Sequence, residues 1–303
     1  MAISRGQLVK ELEPGLNALF GLEYKRYENQ HAEIYTTESS DRAFEEEVML
    51  SGFAQAQTKS EGAGVTFDNA QETYTARYTH ETVALAFSIT EEAIEDNLYD
   101  RLASRYTKAL ARSMANTKQV KAVAPLINGL PTNDAFDSGD GVSLFNTAHP
   151  TIAGTVKNTL TTQADLNETS LEQCLIDIAA MTDERGLKIA ARGVKMIVPS
   201  ELQFTAERLM KSQGRVGTAD NDINAIVSMG MVPQGYRVNN FLTDTDAYYI
   251  ITDVPNGMKY FERAGIKTAM EGDFDTGNVR YKARERYSFG VSDFRGIFGV
   301  EGA

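Results

Sequence analysis

The strongest periodic pattern in the chain is a stripe of apolar positions that follows Ser88. Residues 88–91 (Ser-Ile-Thr-Glu) have the spacing of a helix capping box. Apolar side chains then recur every three or four residues, at Ile94, Leu98, Leu102, Tyr106, Ala109, Leu110 and Met114. Acidic residues fill the first half and basic residues the second, which suits the helix dipole. The pattern predicts one helix that ends at Ala124, before Pro125, and is about 50 Å long.

A polar, glycine-containing stretch and then a strand pattern precede this helix. Residues 51–64 read SGFAQAQTKSEGAG, and residues 73–87 are rich in strand-forming side chains. The apolar residues lie on one parity up to Tyr78 and on the other from Val83, which predicts a bulge or a change of packing face near 79–82. We interpret the segment as an extended two-stranded loop. Since such a hairpin buries little by itself, we expect it to lean on a neighbouring subunit.

The remaining patterns alternate between helices and short strands, which indicates an α+β fold. Residues 7–27 have the spacing of a short amphipathic helix that Pro14-Gly15 interrupts, and we interpret them as an arm. Further helices are predicted at 170–183 and 200–211, and strands at 194–198, 248–252, 259–262, 279–289 and 294–300. The strands at 248–252 and 259–262 have the pattern of a hairpin around a turn at 254–257.

Composition and charge exclude several classes of protein. The chain has 303 residues, 42% of them hydrophobic, enough for a core shared by about two lobes. Its net charge of −12 argues against a large basic surface that grips phosphate backbones. One cysteine, Cys174, cannot form an intrachain disulfide. The N-terminal sequence lacks a signal pattern and no apolar run approaches about 20 residues, so we expect no exported or membrane-embedded chain.

Candidate catalytic and metal-binding residues are few. The three histidines, His31, His80 and His149, have no second histidine or cysteine at metal-ligand spacing. No nucleophile elbow accompanies His149, which we therefore interpret as a loop residue that holds backbone groups. The sequence predicts no catalytic residue, no metal site and no cofactor.

Glycine and aspartate patterns point to turns. Neither a phosphate-binding loop nor a dinucleotide fingerprint is present, which argues against nucleotide chemistry. The stretches Asp137–Gly141 and Asp273–Gly277 carry loop carboxylates but lack the spacing of an EF-hand, so we interpret both as turns and leave ion binding open. Cys174 lies on the apolar face of its predicted helix and is interpreted as a small buried hydrophobe.

The order of these features resembles the major capsid protein of tailed bacteriophages, the Hong Kong 97 fold. Residues 51–100 look like that family's extended loop leading into its long spine helix. LFNTAHP, SLEQCLIDIAAMTDERG and MIVPSELQFTAERLMKS are similar to the variant in Mu-like head subunits, and RYKARERYSFGVSDFRGIFGV resembles the C-terminal return strands. The likeness covers nearly all of the chain.

The resemblance implies a division of the chain. Residues 1–50 would form the N-terminal arm and lead into the peripheral domain, 51–87 the extended loop, and 88–162 the peripheral domain with the spine helix. Residues 163–272 would form the axial domain at capsomer centres, and 273–303 would return to the peripheral domain. No coiled-coil-like segment precedes the arm, so we expect a separate scaffold or none.

The resemblance also implies contacts between subunits. We name Phe53, Lys59, Phe67, Tyr74 and Tyr78 as candidate inter-subunit contact residues of the extended loop. Some family members cross-link subunits through a loop lysine. Lys59 is the sole lysine between Ser51 and Tyr74, so it is the candidate here, although an ordinary salt-bridging role is the simpler interpretation.

The implied function is structural rather than enzymatic. The chain would assemble into hexamers and pentamers of an icosahedral phage head around double-stranded DNA, with weak non-specific DNA contact, a portal protein, and separate scaffold or cement proteins as partners. Assembly would take place in the host bacterial cytoplasm. Two alternatives stay open: an encapsulin-type shell that holds protein cargo, and a monomeric α+β enzyme that uses acids such as Asp244 and Asp246.

Overall fold

The computed structural model describes residues 5–90, 92–93, 99–133, 135–214, 222–273 and 277–303. The helices are α1 (Arg5–Arg26), α2 (Tyr99–Asn128), α3 (Glu168–Ala180), α4 (Gln203–Lys211) and α5 (Ala225–Met229). The strands are β1 (Thr36–Ser39), β2 (Phe44–Leu50), β3 (Glu72–Thr79), β4 (Glu81–Ile89), β5 (His149–Thr151), β6 (Gly154–Val156), β7 (Gly193–Val198), β8 (Tyr236–Val238), β9 (Tyr248–Thr252), β10 (Met258–Gly272), β11 (Val279–Val291) and β12 (Ile297–Val300). The expected α+β mixture is confirmed.

One lobe is a four-stranded sheet with two helices packed on one face. Its strand order is β1-β10-β11-β4, and β11 pairs antiparallel with both β10 and β4. Leu16 and Phe20 of α1 pack with Leu110 and Met114 of α2 against this sheet. Alternate residues of β11 therefore face the helices, as the buried Tyr281 does, and the residues between them face outward.

The second lobe is built on a sheet of order β12-β9-β7-β8. Its strands are almost continuously apolar because both faces are covered, and Ile250, Met196 and Phe298 are fully buried. Strand β12, which the resemblance assigned to the returning peripheral strands, pairs with β9 in this sheet. Strand β10, which it assigned to the axial domain, pairs with β11 in the first lobe.

The predicted change of packing face near 79–82 is confirmed. Strand β3 ends at Thr79 and pairs with β2, whereas β4 begins at Glu81 and pairs with β11. The extended hairpin is therefore formed by β2 and β3 and spans residues 44–79. Strand β4, which the sequence pattern placed within the extended loop, belongs to the four-stranded sheet.

Helix α2 differs from its predicted form at both ends. The hydroxyl of Thr90, not that of Ser88, accepts a hydrogen bond from the Ala93 backbone N–H at 3.4 Å, and Ser88 lies in β4. The capping-box glutamate and the apolar positions 94 and 98 lie outside the described residues. At the other end the helix continues through Pro125 to Asn128. Proline removes its own N–H, but Leu126 is fully buried and holds the last turn against the core.

The buried stripe of α2 is also displaced from the predicted one. Tyr106 is 51% exposed, whereas the small Ala103 and Ala111 are buried with Leu110 and Met114. Alanine is a weak hydrophobic signal in a sequence but allows helix α1 to approach closely. The predicted interruption of α1 at Pro14-Gly15 is wrong, because the helix runs unbroken from Arg5 to Arg26.

The predicted hairpin of 248–252 with 259–262 is wrong as well, since β9 and β10 lie in different sheets. The turn between them bonds to the chain that follows β11. Asn256 and Gly257 accept backbone hydrogen bonds from Asp293 and Ser292 at 2.9 and 3.0 Å. Gly257 also approaches Gly296 so closely that a Cβ on either would clash with the other backbone. This crossing directs the two strands into separate lobes.

A buried ion pair joins the helices to the first sheet. Lys118 of α2 lies 2.7 Å from the Glu285 carboxylate of β11, and the Tyr24 hydroxyl of α1 donates to the same oxygen at 2.9 Å. The Lys118 ammonium also lies 5.1 Å from the centre of the Tyr287 ring. Lys118 is one of the basic residues in the second half of the predicted helix, but its side chain points into the sheet.

His31 packs beside this ion pair. Its ring makes edge contacts with Tyr260 and Phe289, and its backbone N–H donates to the side chain of Gln119 at 3.0 Å. Burial, together with the nearby Lys118 cation, lowers the pKa of His31 to about 4. The folded chain therefore holds this ring in the neutral form at neutral pH.

We expect the pKa of His31 to make stability depend on pH. His31 takes up a proton near pH 6.5 in the unfolded chain but only near pH 4 in the folded chain. The contribution of neutral His31 to folding stability is therefore full above pH 6.5 and is lost as the pH falls from 6.5 through 4. His31→Phe keeps a ring in place but removes the proton site. Between pH 7 and 4, urea unfolding should show a loss about 3 kcal/mol larger in the natural chain than in this variant. Equal losses would contradict the assignment.

Candidate assembly surface

Strand β2 of the extended hairpin carries its apolar side chains on the solvent side. Phe44, Val48 and Leu50 are 38%, 44% and 62% exposed, whereas Glu45 and Glu47 on the other parity are partly buried. A strand that covers its own core shows the reverse alternation, with apolar side chains inward. The guanidinium of Arg77 lies 4.1 Å from the centre of the Phe44 ring and covers only part of it. The hairpin thus presents an apolar face outward.

The segment that joins β2 to β3, residues 51–71, continues this exposure. Phe53, Val65 and Phe67 are 61%, 69% and 94% exposed. The segment is closed at its base by a backbone hydrogen bond from Ser51 to Gln71 at 2.9 Å, and at mid-length by one from Ala54 N–H to the Asp68 carboxylate at 2.7 Å. Large apolar side chains this exposed mark an interaction surface.

The base of the hairpin, in contrast, is fixed to its own subunit by a buried aromatic pair. Tyr78 of β3 is 2% exposed, and its ring lies 4.8 Å from that of Phe261 in β10. Its hydroxyl hydrogen bonds to the side chain of Ser292, whose carbonyl accepts a longer bond from Tyr74 at 3.4 Å. Burial raises the pKa of Tyr78.

A buried lysine provides a second attachment. Lys259 of β10 is 5% exposed and its ammonium contacts the carboxylates of Glu47 in β2 and Glu38 in β1 at 2.5 and 3.0 Å. Burial alone would lower the pKa of Lys259, but the two carboxylates outweigh it and raise the pKa. Glu47 of β2, together with Glu38 of β1, therefore neutralises a cation of the sheet beneath the hairpin.

His80 occupies the junction between β3 and β4. One ring nitrogen lies 2.8 Å from the Ser40 hydroxyl and the other 3.0 Å from the Ser288 hydroxyl. Burial and the nearby Arg286 cation lower the pKa of His80. The ring links the residue after β1 to strand β11, at the one residue where the chain passes from the hairpin into the four-stranded sheet.

The five residues named from the sequence divide into two groups. Phe53, Lys59 and Phe67 all lie exposed on the segment 51–71, where a neighbouring subunit can reach them. Tyr74 and Tyr78 lie at the base and face their own subunit, with Tyr78 buried. Both tyrosines lie on the same side of β3, where Tyr74 is partly buried and Tyr78 fully buried. Sequence reasoning missed Phe44, Val48 and Leu50, because β2 reads FEEEVML and its three consecutive glutamates hide the strand alternation.

His149 is part of a buried polar network. Its ring stacks on Phe294 with centres 3.8 Å apart and bridges the side chains of Asp140 and Asn158 at 2.6 and 3.0 Å. Asn158 in turn donates to the carbonyl of Leu144 at 2.7 Å. Burial raises the pKa of Asp140, but the bonds from His149 and Ser138 outweigh it, so the pKa is lowered. The network ties this part of the chain to the core through Asn158. The interpretation of His149 as a loop residue that holds backbone groups is wrong, because His149 begins strand β5 and its ring contacts two side chains.

The loop carboxylates serve turns. Asp137 accepts hydrogen bonds from the backbone of Gly139 and Gly141 at 2.7 and 3.2 Å. Residues 274–276 of the other aspartate stretch lie outside the described residues. Within the described ranges, no three or more histidine, cysteine or acidic side chains are arranged to hold a metal ion.

The residues of the enzyme alternative lie on a turn near the C-terminus. Asp244 accepts backbone hydrogen bonds from Asp246 and Ala247, and its contact with the Asp246 side chain raises the pKa of Asp246.

Cys174 is fully buried, and burial raises the pKa of its thiol to about 12, which confirms the interpretation as a buried hydrophobe. Over the described part of the chain, no helix has the length and apolar character needed to cross a membrane.

A family model described as phage capsid protein matches residues 73–300. The chain belongs to this phage capsid protein family. The matched range covers helix α2, the whole second sheet and all of the first sheet except β1, so membership rests on most of the fold and not on the hairpin tip. A phage capsid protein is a structural component of a shell, which explains why this chain has exposed apolar strands.

Solved capsid structures have the same fold as this phage capsid protein. The capsid of an empty GTA particle matches with a TM-score of 0.58 at 13% identity, and the match covers 90% of this chain and 89% of the GTA capsid chain. The capsid of the cyanophage P-SCSP1u has a TM-score of 0.56 at 12% identity, with 89% and 86% covered. A virus-like particle from Pyrococcus furiosus has a TM-score of 0.55 at 9% identity, with 95% and 98% covered. No curated protein matches the sequence.

These comparisons confirm the Hong Kong 97-type capsid fold expected from the sequence. The family model confirms the recognition of a phage capsid protein. The family places the chain in a capsid shell of many copies. The hairpin of this capsid protein has a buried base and an exposed apolar face, and that face is available for contact with another subunit.

The attachment of the hairpin base can be tested on Tyr78. Tyr78→Ala removes a buried ring packed on Phe261 and should lower the free energy of unfolding by about 3 kcal/mol, whereas Tyr78→Phe removes only a hydrogen bond and should cost about 1 kcal/mol. Phe53→Ala, at an exposed position, is the matched control and should change stability by less than about 0.5 kcal/mol. Urea unfolding of the unassembled chain measures all three. A Tyr78→Ala variant as stable as Phe53→Ala would contradict the attachment.

Proposed function

We propose that this capsid protein is the major subunit of an icosahedral phage head, assembled as hexamers and pentamers around double-stranded DNA. The observation that carries the proposal is the hairpin 44–79, whose outer face and tip expose Phe44, Leu50, Phe53 and Phe67 in a single chain. Ordering of this hairpin over an adjacent subunit would bury these side chains, so that assembly and hairpin packing stabilise each other.

The second lobe carries its own exposed apolar side chains. They are Phe204 of α4, Ile223 before α5 and Met229 at the end of α5, which are 69%, 72% and 70% exposed. This supports the axial assignment of the second lobe, where the same element of each subunit would meet around the capsomer centre. The first lobe, with α1 and α2 on its sheet, then serves as the peripheral domain.

Lys59 remains the candidate for a covalent cross-link, and the simpler expectation is an ordinary exposed lysine. We expect purified particles, denatured and examined by intact-mass spectrometry, to give only chains of 33.3 kDa. Species at multiples of this mass would identify a cross-link. Their loss in Lys59→Arg, which keeps the charge, would then assign the bond to Lys59.

The family and the acidic charge support a passive container without catalysis. With a net charge of −12, most of the surface repels DNA, which limits adhesion of the packaged genome to the wall. Contact with DNA is therefore weak and non-specific, and a portal protein and a separate scaffold or cement proteins complete the particle. Assembly takes place in the host bacterial cytoplasm.

An encapsulin-type shell is the second candidate function. It is supported by the match to the virus-like particle from Pyrococcus furiosus, which extends over 98% of that particle's chain. The content of purified particles distinguishes the two. Nuclease-protected double-stranded DNA supports the phage head, whereas particles filled with an unrelated protein support the compartment. A chain that stays at 33 kDa under all conditions would favour the enzyme alternative.

The role of the hairpin tip can be tested by a deletion that leaves β2 and β3 intact. Removal of residues 53–70 with a glycine turn in their place should leave a folded subunit, because Leu50 and Glu72 are already paired. The same chain should fail to form closed shells in electron micrographs. Ile152→Ser, in the exposed two-residue turn between β5 and β6, is the control and should assemble. Normal shells from the first deletion would refute the role of the tip.

A further inference from the structure

The outward face of the four-stranded sheet carries a row of cations along β11. Arg280, Lys282 and Arg284 are exposed at alternate positions, and the half-buried Arg286 continues the row. Alternate residues of a strand are about 7 Å apart, so the four charges form a short, straight ladder. Lys267 of β10 stands directly opposite Arg284 and widens it.

Most of this ladder is unbalanced within the subunit. Arg280 pairs with Asp273. Among the described residues, Lys267, Lys282, Arg284 and Arg286 have no ion-pair partner. Like charges directly opposite each other on a sheet destabilise it, as Lys267 and Arg284 do here. In a chain of net charge −12, acids are plentiful elsewhere, so the concentration of cations on this face calls for an anion from outside.

The strand beside the ladder has an open edge. Strand β4 pairs with β11 on one side and with no described strand on the other. It is 9 residues long and contains neither lysine nor proline, the residues that normally protect an edge from pairing. The β4 residues opposite the four cations are small and exposed, namely Thr82, Ala84, Ala86 and Ser88.

We propose that the open edge of β4 binds an extended acidic segment of a partner polypeptide, which pairs with β4 as an added strand and places carboxylates toward the cations of β11. The added strand would lie two strand spacings, roughly 10 Å, from β11. Because Ala84 and Ala86 are short, the long side chains of Lys282 and Arg284 can lean across β4 to meet glutamates on alternate positions of the partner. Backbone pairing supplies affinity and the alternating charges supply the register.

An acidic polypeptide fits this surface better than a nucleic acid. Double-stranded DNA carries one negative charge per about 1.7 Å and extends far beyond a ladder of four cations. The rest of a chain with net charge −12 would repel it. Nucleic acid also has no backbone amides to pair with the edge of β4, so it would leave that part of the surface unused.

Fluorescence anisotropy on the full-length, unassembled chain tests the proposal with defined probes. The first is a labelled nine-residue peptide of alternating Glu and Thr, and the second has the same composition with all its glutamates contiguous. Only the alternating peptide places every carboxylate on one face of a strand, so we expect it to bind at least ten times more tightly. Its binding should weaken as salt is added.

Two variants locate the binding. The double variant Lys282→Glu/Arg284→Glu should lower the affinity for the alternating peptide at least tenfold. The control variant Arg208→Glu/Lys211→Glu makes the same change of net charge on helix α4 and should leave the affinity unchanged. Ala86→Glu, which places an anion on β4 itself, should act like the first variant. Equal binding of the two peptides, an equal effect of the control variant, or tighter binding of a 20-base-pair DNA duplex than of the peptide would overturn the proposal.

Discussion

The organisation of the molecule depends on the contrast between the two ends of one hairpin. At its base, Tyr78 is buried against Phe261, and the buried Lys259 is neutralised by acids from β1 and β2. At its tip, Phe53 and Phe67 have no partner in the described chain that covers them. A hairpin anchored at one end and uncovered at the other projects its apolar surface away from its own core. The core of the subunit is thus closed, while apolar side chains of the hairpin remain exposed to solvent.

Charged residues divide between internal attachment and outward display. Lys118 with Glu285, and Arg295 with Glu184, are ion pairs closed off inside the subunit. Breaking such a pair is costly because the remaining charge stays buried, so these pairs fix the relative positions of helices and strands. The ladder on β11 is the opposite case, since Lys282 and Arg284 are exposed and have no ion-pair partner among the described residues. One strand therefore uses its inner parity for cohesion and its outer parity for recognition.

Much of the fold follows from the sequence alone, for reasons visible in particular residues. Strong periodicity gave β9 at its observed bounds, most of α2, and the change of face beside His80. What failed depended on long-range contacts: α1 runs through Pro14, and the Asn256–Gly257 turn bonds to residues after β11 instead of closing a hairpin. Of the residues that the sequence names as subunit contacts, Phe53 and Phe67 are exposed, but Tyr78 is buried in its own subunit, because an apolar alternation does not say which side of a strand the core lies on.

The depth of Cys174 has a practical consequence for chemical labelling. The sole thiol of the chain is fully buried and its pKa is raised to about 12, so maleimides and other thiolate-seeking reagents will find almost no reactive sulphur on the native protein. A cysteine engineered at an exposed loop position outside the hairpin, such as Thr161, would then be the one reactive thiol of each subunit. Every shell would carry dyes, peptides or antigens at one defined site per copy, without first removing a native cysteine.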